Sequence, residues 1–329
     1  MKTLPATDGK LYSLQGLRAL AVVLVLFAHA SNQLAPGKSP WQVTGHFGVD
    51  IFFVISGFIM VFISSRRLVT WSSFLAERVL RIVPTYWFYT LLALAIYLVA
   101  PGAFRGTEAS AGHVLLSMLF IAHENPVTGS TSPFLRLGWT LNYEMFFYLL
   151  FAIAIAISLR LRVWLTAAAI VLLVSGGALA SQAGLRLPAP LAGLLILLGL
   201  AWALYTVRFE NHDSLRGLVW GPAAALILLA TPSLEGLARR PGLAWLNAIG
   251  DASYTIYLMH LFPLSFYRLV WQRLGLPDDT ALAQGIFLAT AIPGICLLGY
   301  LAYLFIEKPL VRGARRLAGR GSSPARQTS

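Results

Sequence analysis

Three titratable side chains interrupt long apolar runs of the sequence: His29, Asp50 and Glu144. A charged group at the centre of an apolar span costs about 2.5–3.5 kcal/mol on insertion scales, so each is a candidate functional residue. His29 could remove a hydroxyl proton or accept an acyl group, because an imidazole titrates near neutral pH. The alternative is an interfacial histidine that hydrogen-bonds a neighbouring backbone group.

Asp50 opens the second apolar run. If the first two runs form a hairpin centred near residues 39–40, Asp50 and His29 lie at equal depth. A carboxylate–imidazole hydrogen bond would then orient the ring, as in hydrolase triads. The alternative, compatible role for Asp50 is to cap the second helix.

Glu144 lies about six residues into a further run, 138–158, and should face the interior of a helix bundle. Trp139, Asn142 and Tyr143 occupy neighbouring helical turns and could line a substrate pocket with it. The alternative is a structural carboxylate paired with a buried arginine. We predict catalytic roles for His29, Asp50 and Glu144, and substrate contacts for the three neighbours.

Arginines near the apolar runs are candidates for binding a phosphate-bearing donor. Arg18 precedes His29 by eleven residues, about 16 Å along a helix. Arg78 and Arg81 share a helix face, and paired guanidinium groups suit phosphate oxygens of a nucleotide or coenzyme. Positive residues beside spans also set membrane orientation and bind lipid head groups, which is the alternative. The predicted donor-binding set is Arg18, Arg66, Arg67, Arg78 and Arg81.

A polar stripe late in the chain places Tyr257 and His260 on successive turns of one face, together with Ser253. We predict that Tyr257 and His260 contact the substrate. Polar stripes can also hold neighbouring membrane helices together, which is the alternative role.

The amino-acid composition indicates which kind of structural element carries these residues. Of 329 residues 57% are hydrophobic and 12% charged, with a mean hydropathy of +0.72. Soluble domains carry about 25% charged residues, so this chain lacks the polar surface of a water-soluble fold. In lipid, a helix satisfies its own backbone hydrogen bonds and needs about 20 apolar residues to cross. We therefore predict an all-α polytopic membrane protein of about ten spans. The apolar runs lie at about 17–34, 46–64, 82–100, 112–122, 138–158, 163–181, 189–207, 217–231, 249–270 and 283–306.

Charge distribution predicts the orientation. With ten spans and both termini cytoplasmic, 17 of the 25 lysine and arginine residues lie inside, as the positive-inside rule requires. This arrangement predicts a multi-pass protein of the inner membrane, in contact with lipid and not with nucleic acid. We predict a membrane domain over 1–310, a disordered basic cytoplasmic tail over 311–329, and no metal, since Cys296 is the single cysteine.

Six ordered motifs resemble the membrane acyltransferase-3 family, most closely its succinoglycan-type exopolysaccharide O-acetyltransferases. They are 14–20 (LQGLRAL) leading to His29, 48–58 (GVDIFFVISGF), 78–84 (RVLRIVP), 138–144 (GWTLNYE), 252–260 (ASYTIYLMH) and 307–309 (EKP). The resemblance implies ten spans, acetyl-CoA from the cytoplasm as co-substrate, and a sugar hydroxyl as acceptor. It also implies a catalytic, donor-binding pair in Arg18 and His29, and donor association for Arg78 and Arg81.

The expected function is therefore acetyl transfer from acetyl-CoA to a sugar hydroxyl of an exopolysaccharide or its lipid-linked precursor. His29 would act as base or acyl carrier, and the two routes need the same residues. The alternative is a transporter or flippase for a polysaccharide precursor, in which the buried ionisable groups would relay protons.

Overall fold

A computed structural model describes residues 11–34, 42–66, 70–103, 106–157, 227 and 230–319. Every regular element within those residues is helical, which confirms the all-α class for this part of the chain. The helices are α1 Tyr12–Leu34, α2 Gln42–Arg66, α3 Trp71–Val99, α4 Ala111–Met118, α5 Trp139–Ile157, α6 Glu235–Ala238, α7 Ala244–Met259, α8 Leu261–Arg273, α9 Ala281–Ala302 and α10 Lys308–Leu317. A π-helical turn, Tyr303–Glu307, joins α9 to α10.

Within the residues that the structure describes, three helical runs are long and apolar enough to cross a membrane: Tyr12–Leu34, Trp71–Val99 and the continuous run Ala281–Leu317. They support the prediction of a membrane protein. The predicted spans 163–181 and 189–207, and nearly all of 217–231, lie outside the described residues. The count of ten spans and the orientation of the termini stay predictions.

Two predicted spans differ from the structure. The run at 112–122 contains only α4, whose eight residues extend about 12 Å, too short for a hydrocarbon core of about 30 Å. The chain leaves this helix at Phe120, which has a φ of 58°. The run at 249–270 forms two helices that meet at His260, because Pro263 has no N–H to continue the hydrogen-bond ladder.

The basic segment predicted to be disordered from residue 311 is helical as far as Leu317. This correction has a physical cause: α10 continues the helix of α9, so it needs no new nucleation. It also carries an ion pair to α3, in which Arg315 Nη2 lies 3.0 Å from Glu77 Oε2. Residues 320–329 lie outside the described part.

The chain divides into two compact units. Unit 1 comprises residues 1–68, 164–256 and 260–297, and unit 2 comprises 69–163, 257–259 and 298–329. In the described part of unit 1, α1 and α2 bury an apolar core between them. Its buried members are Leu14, Leu17, Ala21, Phe47, Ile51, Ile55, Phe58 and Ile227.

Glycines let the backbones of α1 and α2 touch. A Cβ atom at Gly48 would lie 2.5 Å from the Ala21 carbonyl oxygen, and one at Gly45 would lie 2.6 Å from Ala28 Cβ. Small residues at such crossings are the usual means of close packing between membrane helices. These contacts set an antiparallel register that determines the relative heights of the predicted site residues.

In unit 2, α3 packs against α5 and α10. A Cβ at Gly138, just before α5, would lie 2.6 Å from the Tyr86 hydroxyl, so a larger residue there would push α3 away. The Tyr86 hydroxyl donates to the Ser117 carbonyl, which ties α3 to α4.

Candidate active site

His29 lies half-buried near the end of α1, and its protonation pattern follows from one contact. Its Nδ1 atom is 2.9 Å from the Val25 carbonyl oxygen. A carbonyl can only accept, so Nδ1 carries the hydrogen and donates it. In a neutral imidazole the lone pair then resides on Nε2, the nitrogen that can act as base or nucleophile.

A second imidazole lies beside His29. The ring of His260, which is completely buried, has its centroid 4.9 Å from that of His29, with 65° between the ring planes. The two residues are far apart in sequence, and the structure brings them together within unit 1. This contact connects a residue predicted to be catalytic with one predicted to bind the substrate.

The close approach of α7 to α1 accounts for this contact. A Cβ at Gly250 would lie 2.0 Å from the Gln15 carbonyl oxygen, so α7 rests directly on the backbone of α1. Arg18 lies one turn beyond Gln15 and is half-buried. Because α1 is helical throughout, Arg18 and His29 are separated by about 16 Å along one rigid element, as expected from the sequence.

Asp50 is not level with His29, contrary to the expectation of equal depth. The contacts of Gly45 and Gly48 place Asp50 opposite residues near Ala21. That position is offset from His29 by about 10 Å of helical rise. The close glycine packing shifts the register by several residues from a symmetric hairpin. The Asp50–His29 hydrogen bond stays a prediction, and it would need both side chains to extend toward each other along the helices.

In unit 2 the Arg78 guanidinium lies beside two aromatic rings that contact each other, with centroids 6.2 Å apart. Its central carbon is 5.7 Å from the Phe74 ring centroid and 5.9 Å from that of Tyr148. Arg78 is only 8% exposed, and its Nε has no hydrogen-bond partner among the described residues. Cation–π contacts of this kind stabilise a guanidinium away from water.

Tyr148 connects Arg78 to Glu144. The Tyr148 hydroxyl donates to the Glu144 carboxylate one turn earlier on α5, and the Tyr148 ring lies beside the Arg78 guanidinium. Glu144 thereby interacts with a buried arginine, which was the structural alternative for this residue. A catalytic role for Glu144 stays a prediction, and the structure adds a positioning partner that the sequence analysis did not select.

The remaining predicted donor-binding arginines differ in their placement. Arg81 is half-buried one turn after Arg78, and the two positive charges interact. Adjacent guanidinium groups create a positive potential that suits an anion. Arg66 ends α2, and Arg67 lies outside the described residues.

The predicted substrate residues of α5 include two aromatic rings and a hydrogen-bond acceptor, the Asn142 side-chain oxygen. Trp139 and Tyr143 pack edge to face with centroids 6.0 Å apart, and Tyr143 is 60% exposed. The Asn142 Oδ1 atom is buried and has no hydrogen-bond partner in the described part of the chain. Such an atom can accept a hydroxyl donor at little desolvation cost, since the cost is already present.

Tyr257 is buried, with its hydroxyl in a local network. The hydroxyl donates to the Leu137 carbonyl at 3.2 Å and lies 3.0 Å from Thr140 Oγ1. These bonds join three residues of unit 2: Tyr257, Leu137 and Thr140. They support a structural task for Tyr257, and a substrate contact stays a prediction.

Sequence reasoning missed the carboxylate that anchors α1. Glu235 accepts hydrogen bonds from Tyr12 N at 3.1 Å, Ser13 N at 2.8 Å and Ser13 Oγ at 2.7 Å. Arg239 Nε lies 3.0 Å from the same carboxylate. No local pattern relates residues more than two hundred positions apart. Tyr148 could have been noticed, because it lies one helical turn after Glu144.

A hydrogen-bonded histidine pair in unit 2 also escaped the sequence analysis. His123 Nδ1 donates to the Ile121 carbonyl at 2.7 Å, so His113 Nδ1 donates to His123 Nε2 at 2.6 Å. Thr107 Oγ1 lies 3.3 Å from His113 Nε2 and can donate to it. Burial and the neighbouring His123 lower the pKa of His113. Each ring nitrogen is engaged, which indicates that the pair holds its loop in place.

Comparison with known proteins assigns a family. The sequence profile of the acyltransferase-3 family, described as an acyltransferase domain, matches residues 11–183 and 178–304. The exopolysaccharide production protein ExoZ of Rhizobium meliloti (strain 1021) is 34% identical over 319 residues, covering 85% of this chain and 98% of that protein. No solved structure matches the chain.

Proposed function

The chain belongs to the acyltransferase-3 family, and on that premise we propose that it transfers an acetyl group from acetyl-CoA to a sugar hydroxyl. The acceptor would be an exopolysaccharide or its lipid-linked precursor, in line with the name of the relative ExoZ. The assignment of the chain as a membrane protein rests on the apolar helical runs together with the family.

The observation that carries the proposed chemistry is the hydrogen bond from His29 Nδ1 to the Val25 carbonyl. It fixes the ring orientation, and in the neutral imidazole it places the lone pair on Nε2, the atom to which we assign the reaction. In direct transfer, Nε2 takes the proton of the sugar hydroxyl while that oxygen forms a bond to the thioester carbonyl carbon. The C–S bond then breaks, and the proton passes from Nε2 to the departing thiolate.

The covalent route uses the same atom. Nε2 would attack the thioester carbonyl, and the C–S bond would break to release coenzyme A. The sugar oxygen would then attack the carbonyl carbon of the acetyl-imidazole, its proton would pass to the coenzyme A thiolate, and the N–C bond would break to regenerate His29. In both routes one C–S bond is exchanged for one C–O bond, and no oxidant or metal is required.

We assign donor binding to the arginines on two grounds. Arg81 is half-buried beside Arg78 and can offer its guanidinium to phosphate oxygens. Arg78 is buried beside the rings of Phe74 and Tyr148, so its main contribution would be positive potential and the positioning of Glu144. Arg18 on α1 would contribute a further cation.

Acceptor binding is assigned to polar and aromatic side chains of two kinds. Asn142 Oδ1 would accept a sugar hydroxyl, and the exposed ring of Tyr143 would pack against a sugar face. His260 would contact the acceptor beside His29. Asp50 is proposed to support His29, and Trp139 to complete the aromatic surface.

The proposed setting is the inner membrane, with about ten spans and both termini in the cytoplasm. The excess of lysine and arginine on the cytoplasmic side in this arrangement supports it. It would give the donor-binding arginines access to cytoplasmic acetyl-CoA.

The test uses the purified full-length protein with radiolabelled acetyl-CoA and oligosaccharides released from an exopolysaccharide. His29→Asn keeps an N–H that can reach the Val25 carbonyl and lacks the Nε2 lone pair. We expect label transfer to fall by at least about 10²-fold, the usual contribution of a general base. His46→Asn, at an exposed histidine of α2, is the matched control and should keep wild-type activity.

Transfer by His29→Asn at more than about a tenth of the wild-type rate would remove His29 from the chemistry. If the wild-type protein neither transfers nor hydrolyses the acetyl group, the proposal of acetyl transfer fails. The transporter alternative would then be favoured, because a flippase needs no thioester.

A further inference from the structure

The last described helix carries a basic stripe. In α10 the residues Lys308, Arg312, Arg315 and Arg316 are spaced four, three and one apart, so they occupy an arc of roughly 100° on one side. The three arginines are exposed. The helix contains no acidic residue, and among the described residues the ion pair found for this stripe is the one between Arg315 and Glu77 of α3.

Helix length indicates where this stripe lies relative to the membrane. The continuous run Ala281–Leu317 has 37 residues and therefore extends about 56 Å. A hydrocarbon core is about 30 Å thick, so roughly 25 Å of the helix must lie outside it. Because α9 holds the apolar part of the run, α10 is the part at the level of the lipid head groups.

The opposite side of α10 is apolar. Leu310 and Ala314 are half-buried there, and Leu317 at the end is 92% exposed. A basic stripe next to an apolar edge that remains uncovered is typical of helices at the interface between head groups and acyl chains.

The helix dipole does not explain the stripe. Negative charge at a helix C-terminus favours cations in the last turn, which covers Arg315 and Arg316. Lys308 and Arg312 precede that turn, yet they share the same side. The Lys308 ammonium also lies 4.7 Å from the Tyr303 ring centroid, so the stripe begins at the π-helical turn.

We infer that the basic side of α10 binds the phosphate head groups of anionic phospholipids. Charge complementarity and the position of α10 at the end of a spanning helix identify this occupant. Each lysine or arginine near an anionic membrane surface strengthens binding by about fivefold. The interaction is independent of the acyl-transfer chemistry proposed above.

The experiment measures thermal unfolding of the full-length protein in a neutral detergent during titration with phosphatidylglycerol. The test variant is Arg312→Gln with Arg316→Gln, which leaves the Arg315–Glu77 ion pair in place. Phosphatidylglycerol affinity should fall roughly 30-fold, two factors of about five. The matched control, Arg240→Gln with Arg273→Gln, removes two exposed arginines elsewhere and should change affinity less than threefold.

Two further titrations distinguish binding of a lipid phosphate from binding of coenzyme A, and loss of binding from loss of folding. Phosphatidylcholine should give no difference among the proteins, and equal unfolding temperatures in it show that the variants fold. Coenzyme A should bind the test variant and the wild type equally. Glu77→Gln should retain phosphatidylglycerol binding, because it leaves every arginine of α10 present.

Four results would overturn the inference. An unchanged phosphatidylglycerol affinity in the test variant would leave the stripe without a lipid role. An equal loss of phosphatidylglycerol affinity in the control would show that the effect depends on the net charge of the protein and not on the stripe. A selective loss of coenzyme A binding would assign the stripe to the donor. A loss on Glu77→Gln alone would assign the effect to the ion pair with α3.

Discussion

Replacing Glu235 by alanine should loosen the beginning of α1, the helix that carries Arg18 and His29. The Glu235 carboxylate accepts three hydrogen bonds from Tyr12 and Ser13, the first two residues of that helix. Backbone N–H groups in the first turn have no partner within their own helix, so an outside acceptor is needed. Glu235 supplies it from α6.

The magnitude follows from these contacts. A lost N-terminal cap costs about 0.5–2 kcal/mol, and a lost negative charge at the helix start costs about 0.3–1 kcal/mol more. Ser13 is 7% exposed, so water replaces its bonds poorly, and about 1 kcal/mol is added. The half-exposed ion pair with Arg239 contributes less than about 1 kcal/mol. We therefore expect a loss of about 2–4 kcal/mol.

The same carboxylate predicts a pH dependence. Burial acts to raise the pKa of Glu235, and the hydrogen bonds from Ser13, Tyr12 and Arg239 outweigh it, so that this pKa lies below its usual value. A lowered pKa in the folded state stabilises the fold at every pH above the unfolded value of about 4.3. That stabilisation is lost as the pH falls through the folded pKa.

Thermal unfolding of the full-length protein in detergent, measured at pH 7 and at a series of lower pH values, tests both statements. At pH 7 Glu235→Ala should unfold roughly 4–8 °C below the wild type. The difference should begin to shrink below about pH 4.3, where the unfolded chain takes up the proton, and should vanish below the lowered pKa of the folded protein. Glu108→Gln removes an exposed carboxylate and is the control. A Glu235→Ala protein as stable as this control at pH 7 would refute the anchoring role.

Further predictions concern packing and polar contacts. Gly250→Ala should lower stability by about 1–3 kcal/mol or more, because its Cβ would overlap a carbonyl of α1. The control Gly285→Ala, whose Cβ would have nothing within 4 Å, should be neutral or stabilising by up to about 1 kcal/mol in the same unfolding assay. Equal effects of the two would contradict the close approach. Tyr148→Phe keeps the ring beside Arg78 and removes the hydroxyl, so it should cost about 1.5–3 kcal/mol and lower turnover; unchanged stability and turnover would exclude a positioning role. Asp50→Asn should retain the fold and reduce acetyl transfer by orders of magnitude if Asp50 supports His29, and full activity would leave it as a cap only.

Several features could be predicted from the sequence because they depend on local chemistry. The apolar runs identified a helical membrane protein, since lipid offers the backbone no hydrogen-bond partners. The spacing of Arg18 and His29 on one helix was also correct, because helical rise is constant. The short α4 was missed because hydropathy averages over a window and does not register the turn at Phe120.

The sequence by itself determined that the protein folds in lipid, that it is helical, and which residue types are available for chemistry. Only the tertiary structure decided which of them meet. It placed His260 against His29, offset Asp50 from the same ring, and connected Glu144 to Arg78 through Tyr148. The reason is physical: helix register depends on where small residues let two backbones approach, and a shift of a few residues moves a side chain by several ångströms. Sequence spacing within one helix cannot specify that shift.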